Sequence, residues 1–480
     1  INNSYVSMFC GGPKFGIMNE GKTVVNKATG SIFDEFYGAG FGGTAFDRVK
    51  PWATDDPTNP TEAKWNQWID DYYKRKLDAH GIAVSHEYEY FMTSGGNDNS
   101  KTARFYVNYA SLSLATTRSV NSTLTNCIVN QDYYGGGHLG FVEGDAYSTI
   151  NSCTIHGNVY GGGLSNVEPT VDVLPIEHYI KVPGYVSPLG NFTPAEYPAS
   201  VRYTWKHADA VSVDNEFDED NHYIYTEVDM TELGEVRGST FVTVQGNTQI
   251  EGMLDGEPVG GVFGAGNASA VLGNATVVIN TNNTDEQYAI NNVYGGGNIA
   301  ITGDANDAVG ENNGNTFVTI EKGLIGKMVN GVVLEGTGSV FGGGKGSPDD
   351  KHYGDVLGNT TVTLKDGGFV RRNLYGGCKL SNVGRTRVGT SQDGEQYVGI
   401  DIPVANTGHT IINMEGGEVG YPRTIEEIED NPHICHIFGA GMGDPDVAYN
   451  TWTNVNSSEI NLMGGHVWGS VYGGGEEGHD

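Results

Sequence analysis

The chain has 480 residues, of which 72 are glycine, and its 59 acidic and 27 basic residues give a formal net charge of −32. That balance argues against a nucleic-acid-binding protein, which needs stripes of lysine and arginine to displace counterions. The five cysteines form no Cys-x-x-Cys pair, so the chain is neither a disulfide scaffold nor a zinc protein. No apolar run reaches the roughly 18 residues that a transmembrane helix needs.

A short phrase recurs along the chain: an apolar residue, an aromatic residue and then three small residues, mostly glycine. Tyr134 and Tyr160 lie 26 residues apart in neighbouring copies, and a period of about 20–50 residues is typical of a solenoid. We expect the glycines to form corners, where a tight reversal needs a positive φ and no Cβ. The ten copies occupy residues 8–12 (degenerate), 36–40, 133–137, 159–163, 262–266, 293–297, 340–344, 374–378, 437–441 and 471–475.

A second phrase lies between the copies and places two apolar residues at a spacing of two, often around a threonine. Such alternation, rich in β-branched residues, predicts a half-buried strand. Three residues before the strand stands Ser or Asn, which we expect to form a polar ladder at one turn of stacked coils. The apolar pairs are Val242/Val244, Val277/Ile279, Val318/Ile320, Val362/Leu364, Ile412/Met414 and Ile460/Leu462, and the ladder residues are Ser239, Asn274, Asn315 and Asn359.

The uneven gaps between copies divide the chain into coils and insertions. Residues 1–43, 111–166 and 237–480 are predicted solenoid coils. Residues 44–110 form an insertion with an amphipathic helix over 61–80, bounded by Asn59-Pro60 and Gly81. Residues 167–236, rich in proline, tyrosine and acids, form a second insertion. The sequence thus predicts an all-β parallel solenoid of about ten imperfect glycine-rich coils with two insertions.

Two sets of aromatic residues are candidates for ligand binding. On the predicted helix, Trp65, Trp68 and Tyr72 share one face, which we expect to pack on the solenoid; an exposed sugar-binding platform is the alternative. The aromatic residues of the corners are expected to form a structural ladder, with outward stacking on sugars as the alternative. That ladder consists of Tyr134, Tyr160, Phe263, Tyr294, Phe341, Tyr375, Phe438 and Tyr472.

Clustered acids are the candidates for a metal site. Ca²⁺ prefers several carboxylate and carbonyl oxygens that converge from a loop, and a solvated acidic surface is the alternative for any one cluster. The candidate ligands are Asp304, Asp307, Asp349, Asp350 and Asp355.

The residues resemble a known kind of protein. The strand Gly314-Asn315-Thr316-Phe317-Val318-Thr319-Ile320 and the corner Val293-Tyr294-Gly295-Gly296-Gly297 look like the glycine-rich repeats of very large secreted surface proteins of Bacteroidetes-type bacteria. They are similar more broadly to β-helix adhesins. The resemblance covers most of the chain except the two insertions. It implies a right-handed parallel β-helix, export to the cell surface and a role in adhesion or envelope structure, and it brings no catalytic motif.

The expected function is therefore that of a non-enzymatic extracellular surface or structural protein, an adhesin-like solenoid segment of a larger assembly or polypeptide. Its expected partners are other envelope or surface proteins, further solenoid coils at either end, or glycans. The alternative is a carbohydrate-active β-helix enzyme, either a polysaccharide lyase or a glycoside hydrolase. Hydrolysis would need two carboxylates about 5–9 Å apart in a cleft, and stacked coils offer many places for such a pair.

Overall fold

A computed structural model describes residues 1–14, 18, 23–42, 115–165, 234–254, 257–283, 290–304, 314–348, 354–390, 396–444 and 453–476. It also describes six strands, at 47–49, 86–94, 101–109, 170–171, 203–208 and 223–229. The predicted helix over 61–80 lies outside these residues. The described coils form a parallel β-solenoid, as the glycine-rich repeats predict.

The apolar-aromatic phrase forms one column of short parallel strands, named here the aromatic stack. It has ten rungs, which we number one to ten in chain order, in agreement with the predicted number of coils. The rungs are β1 (Tyr5–Cys10), β3 (Ile32–Tyr37), β10 (Tyr133–Tyr134), β14 (Val159–Tyr160), β22 (Gly261–Phe263), β24 (Asn292–Tyr294), β28 (Val340–Phe341), β30 (Leu374–Tyr375), β35 (Ile437–Phe438) and β38 (Val471–Tyr472).

The threonine-rich phrase forms a second column, the long stack, which is also parallel throughout. Its nine rungs are β2 (Thr23–Thr29), β8 (Ser119–Thr125), β12 (Ala146–Asn151), β18 (Thr240–Gly246), β23 (Ala275–Thr281), β25 (Thr316–Ile325), β29 (Thr360–Val370), β33 (His409–Met414) and β36 (Ser457–Leu462). Very short strands between the two columns are β9 (Ile128–Val129), β13 (Thr154–Ile155), β19 (Gln249–Ile250), β34 (Glu418–Val419) and β37 (His466–Val467).

The remaining elements lie outside these columns. One described helix, α1 (Ile425–Asp430), begins with a capping box in which Thr424 and Glu427 bond each other's backbone N–H. The Thr-x-x-Glu pattern of this box is visible in the sequence. The described helix is too short and too polar to cross a membrane. The other strands are β4 (Asp47–Val49), β5 (His86–Ser94), β6 (Lys101–Tyr109), β7 (Thr116–Thr117), β11 (Phe141–Val142), β15 (Thr170–Val171), β16 (Tyr203–Ala208), β17 (Tyr223–Asp229), β20 (Gly252–Leu254), β21 (Glu257–Val259), β26 (Met328–Val329), β27 (Val332–Val333), β31 (Thr386–Thr390) and β32 (Gln396–Pro403).

The apolar pairs of the long stack fill the interior. Five of the six predicted pairs are buried and belong to one continuous core cluster with the valines and isoleucines of the aromatic stack. The sixth lies in the last rung, where Leu462 is 53% exposed. Threonines of the long stack cross this interior: the hydroxyls of Thr240, Thr360 and Thr410 each donate to a corner-glycine carbonyl at 2.6 Å. In these three coils, a side chain of the long stack thus contacts the corner on the opposite side.

The corners require glycine because the next coil leaves no room for a Cβ, and not because the backbone has a positive φ. None of the glycines that follow the aromatic residue in a described corner has a positive φ, so that part of the expectation was wrong. A Cβ on Gly295 would lie 2.0 Å from the carbonyl oxygen of Gly342 in the next coil and 3.0 Å from Thr316 Cβ. The first corner position thus admits glycine alone, whereas the second holds Ala39, Ala265 or Ala440 in three coils.

Polar side chains link each coil to the next, as predicted for Ser239 and the three asparagines. The Oδ1 of Asn274 accepts from the N–H of Asn315, and the Oδ1 of Asn315 accepts from the N–H of Asn359, both at 2.9 Å. A second ladder of this kind was not predicted: Asn373 Oδ1 accepts from His436 N–H at 2.9 Å, and His436 Nδ1 accepts from Ser470 N–H at 2.8 Å. Backbone groups at the corners are satisfied by the neighbouring coil.

The two corner positions give a matched test of this packing. We expect Gly295→Ala to lower the free energy of unfolding by about 3 kcal/mol or more, because its new Cβ overlaps a carbonyl that the ladder fixes in place. Gly296→Ala is expected to cost clearly less, because its Cβ would lie 2.9 Å from Gly344 N, a milder overlap, at a position where other coils carry alanine. Chemical denaturation of both variants measures the difference. Equal losses would show that the first glycine is not sterically special.

Candidate functional site

The aromatic residues of the corners form a single stack of rings. The structure brings together all eight predicted ladder residues and adds Tyr37, with centroid distances of 4.5–5.1 Å and interplanar angles of 1–19°. Val293 belongs to the main core, whereas Tyr294 belongs to a separate aromatic cluster. Since consecutive strand residues point to opposite faces, the ring ladder lies on the outer side of the aromatic stack.

The ring faces in the ladder are already occupied by other rings. The rings from Tyr37 to Phe438 are 1–6% exposed, and each ring between these ends has a neighbour on both sides. Tyr472, in the last rung, is 46% exposed. A sugar that stacks on an aromatic side chain needs a free face, so the interior of the ladder offers only ring edges.

A second row of side chains lies beside the ladder, four residues after each aromatic position; we name it the cover row. It was not predicted, because its residue types vary and only the fixed offset marks it. Asn267 donates to the hydroxyl of Tyr134 at 3.2 Å, and Asn298 donates to Asn267 Oδ1 at 2.9 Å. The later members, joined in turn by parallel bridges, are Leu164, Asn267, Asn298, Lys345, Lys379, Met442 and Glu476.

A groove of about 600 Å³ runs along the ladder between rungs six and ten. One wall consists of the edges of Tyr294, Phe341 and Tyr375, and the cover row contributes Lys379 and Glu476. Its volume falls within the range of about 300–1,000 Å³ that is usual for small-molecule sites. We therefore regard this groove as the candidate functional site.

Positive charge gathers at one part of the groove. Lys345 and Lys379 are bridge partners in adjacent coils, and burial lowers the pKa of both ammonium groups; for Lys379, the charges of Lys345 and Arg372 lower it further. Arg372 lines the groove with Lys379. Among the residues that the structure describes, none of these three side chains has an ion pair or hydrogen bond.

Several other cations of the described coils have acidic partners. Lys327 lies 2.7 Å from Glu251, and Lys365 lies 3.2 Å from Glu321. Arginines follow the same rule, with Arg237 at 3.3 Å from a carboxylate of Glu235. In a chain with more than two acids for each base, Arg372 and Lys379 therefore line the groove without an ion pair to any described acid.

The hydroxyl and carboxylate groups of the groove bind each other. Tyr375 donates to Glu476 and accepts from the amide of Asn373 at 2.8 Å. Burial, together with the charge of Glu476, raises the pKa of Tyr375 well above its ordinary value. The other carboxylate oxygen of Glu476 lies 3.8 Å from His433 Nδ1. These groups form a closed network on the groove wall.

The asparagines that line the groove are also engaged. Asn292 donates to Gly336 O at 2.7 Å and accepts from Ser339 N–H at 3.0 Å. Asn373 donates to His433 O at 2.8 Å besides its bond to Tyr375. The groove thus presents two cations, Arg372 and Lys379, and several ring edges, while its amides already have partners.

Of the five candidate calcium ligands, the structure describes only Asp304 and Asp355. Asp355 is buried, and its Oδ1 accepts from Ser381 Oγ at 2.5 Å and from Asn382 N–H at 2.8 Å, which links neighbouring coils. Asp304 is half-buried. Asp307, Asp349 and Asp350 lie outside the described residues, as do Trp65, Trp68 and Tyr72. Within the described coils, no three His, Cys, Asp or Glu side chains are placed to hold a metal ion.

Comparisons with protein-family models, with curated proteins and with solved structures find no match to this chain. Its function must therefore be argued from its own geometry.

The buried tyrosines predict a loss of stability at alkaline pH. Burial raises the pKa of Tyr133 to about 12 and also raises the pKa of Tyr134, Tyr160 and Tyr294. Below the ordinary tyrosine pKa of about 10 both states are protonated, so this stability is fully present; above it the unfolded chain loses protons first. We expect the denaturation midpoint to fall progressively as pH rises from about 10. Ultraviolet titration of the folded chain should show these tyrosines ionising late; ordinary titration of all tyrosines would contradict it.

Asp355 provides a test between a structural and a metal-binding carboxylate. Asp355→Ala leaves a buried N–H and a hydroxyl without an acceptor and should destabilise the fold by about 1–3 kcal/mol. Asp355→Asn keeps an acceptor oxygen and should retain most of that stability. The measurement is thermal unfolding of both variants with Ca²⁺ and with chelator. A calcium-dependent stabilisation of the natural chain that disappears in both variants would instead assign Asp355 to a calcium site.

Proposed function

We propose that this chain is a non-enzymatic, adhesin-like scaffold segment of an extracellular surface protein. The observation that carries the proposal is that the side chains repeated from coil to coil make contacts within the solenoid itself. Corner glycines admit close stacking, threonines of several coils bond the opposite corner, asparagines bond the next coil, and aromatic rings stack along nine of the ten rungs. A sequence whose repeats all serve coil-to-coil contact is typical of a scaffold, and a site must then lie in the positions that vary.

The other features of the chain agree with an extracellular surface role. A net charge of −32 favours solubility. The glycine-rich strand and corner resemble secreted bacterial surface proteins. Envelope or surface proteins, further coils and glycans remain the proposed partners.

The second candidate is a carbohydrate-active enzyme, and one observation favours it. The groove places Tyr375, His433 and Glu476 in contact, beside Arg372, and such groups can transfer protons or hold a sugar acid. Against it stands the state of Tyr375, whose hydroxyl is bonded to Glu476 and whose raised pKa keeps it protonated. A phenol held in this way is a weak base.

Two assays on the intact chain test the proposal. Incubation with a panel of extracellular polysaccharides, followed by measurement of new reducing ends and of unsaturated products, is expected to show no turnover; cleavage that is lost in Tyr375→Phe would establish the enzyme instead. Antibodies against the chain are expected to label intact producing cells, and external protease should remove that label. Labelling only after lysis would refute the surface location.

A further inference from the structure

We propose that the groove beside the ring ladder binds an extended anionic glycan through Arg372 and Lys379, with Lys345 of the preceding coil next to Lys379. This deepens the proposed adhesive function and rests on it only in taking the ligand to be extracellular. The chemical class is a polysaccharide that carries carboxylate or sulfate groups.

The first step is electrostatic. Adjacent coils are separated by about 4.8 Å, so Lys345 and Lys379 hold two ammonium groups close together in partly desolvated positions. Like charges at this distance repel, and the attraction of Asp444 for Lys379 is smaller than the effects of burial and of the neighbouring cations. An anion between them would supply the missing oxygens, and Arg372 offers a planar fork that suits a carboxylate or sulfate group.

The second step excludes a neutral sugar as the preferred ligand. Neutral glycans are bound by free aromatic faces and by free amide or carboxylate groups, whereas the rings here face each other and the amides of Asn292 and Asn373 are engaged. The remaining wall consists of ring edges. Because an aromatic edge carries partial positive charge, it favours an anion over a neutral hydroxyl.

The acids of the groove do not neutralise this cationic end. Glu476 is held by Tyr375 and His433, and in the cover row Met442 separates it from Lys379. Glu335 lines the groove as well, but its side chain is exposed to solvent. Asp444 raises the pKa of Lys379 only as the last of the four influences on that group. The arrangement is a cationic half and an acidic half, which would orient a chain with charged and neutral parts.

The length of the groove favours a polymer over a small ion. Ring edges from rungs six to eight form its wall, and Glu476 of rung ten closes it. At about 4.8 Å for each coil, this distance is on the order of 20 Å. A single inorganic anion would occupy only the space between the cations.

The test is binding of the full chain to four immobilised or titrated probes: polygalacturonate, heparin, neutral dextran and inorganic sulfate. We expect binding to polygalacturonate or heparin that weakens with salt, little binding to dextran, and at most weak binding of sulfate. Lys379→Gln and Arg372→Gln should each weaken binding about tenfold, the loss of one charge-assisted contact. Lys379→Arg should retain binding, which separates charge from folding.

The matched control is Lys365→Gln, which removes the same charge from a lysine paired with Glu321 on the long stack; its affinity should stay within about twofold of the natural chain. Equal losses in the control and groove variants would overturn the site, as would preference for dextran. Preferential binding of a DNA duplex through the same residues would overturn the glycan assignment. Cleavage of a probe would refute the scaffold function while leaving the groove intact, so the two failures are distinguishable.

Discussion

The spacing of about 4.8 Å between neighbouring parallel strands governs this molecule. The strands of both long stacks sit on one another at this distance, so the corners that join them must stack equally closely. A side chain at the first corner position would enter the carbonyl of the next coil, as the 2.0 Å approach at Gly295 demonstrates. The same spacing is close to the 4.5–5.1 Å at which the rings of the ladder stack. One distance thus selects glycine at the corner and a flat aromatic residue beside it.

Close stacking also determines where the polar groups go. A narrow coil cannot hold water at its corners, so each turn needs a side chain that satisfies the next coil. Asn315 and Asn373 do this at two different corners, and Thr360 does it across the interior. These residues are fixed by the architecture and are unavailable for ligands. The residues that vary between coils, above all the cover row, are those in which chemistry can differ from coil to coil.

The difference between repeated and variable residues explains which features could be predicted from the sequence. The fold, the number of coils, the apolar pairs and the first asparagine ladder repeat along the chain, so their pattern is visible in one sequence. The reason given for the corner glycines was half wrong, because lack of space and a positive φ both select glycine and the pattern alone cannot separate them. The groove was beyond prediction, since Arg372 and His433 belong to no repeat and Lys345 and Lys379 share only an offset from Phe341 and Tyr375.

Two kinds of polar residue, asparagine and lysine, occupy equivalent positions of the cover row in neighbouring coils. Asn267 and Asn298 meet as an amide pair with a hydrogen bond of 2.9 Å, which needs no outside partner. One and two coils further along, the row places Lys345 and then Lys379, whose charges oppose each other and whose pKa values burial lowers. An amide pair would fit the fold at less electrostatic cost, so stacking alone does not account for the lysines. An anion that lies along the row removes the repulsion and gives both cations a partner, and the ring edges beside them carry charge of the sign that such a ligand needs.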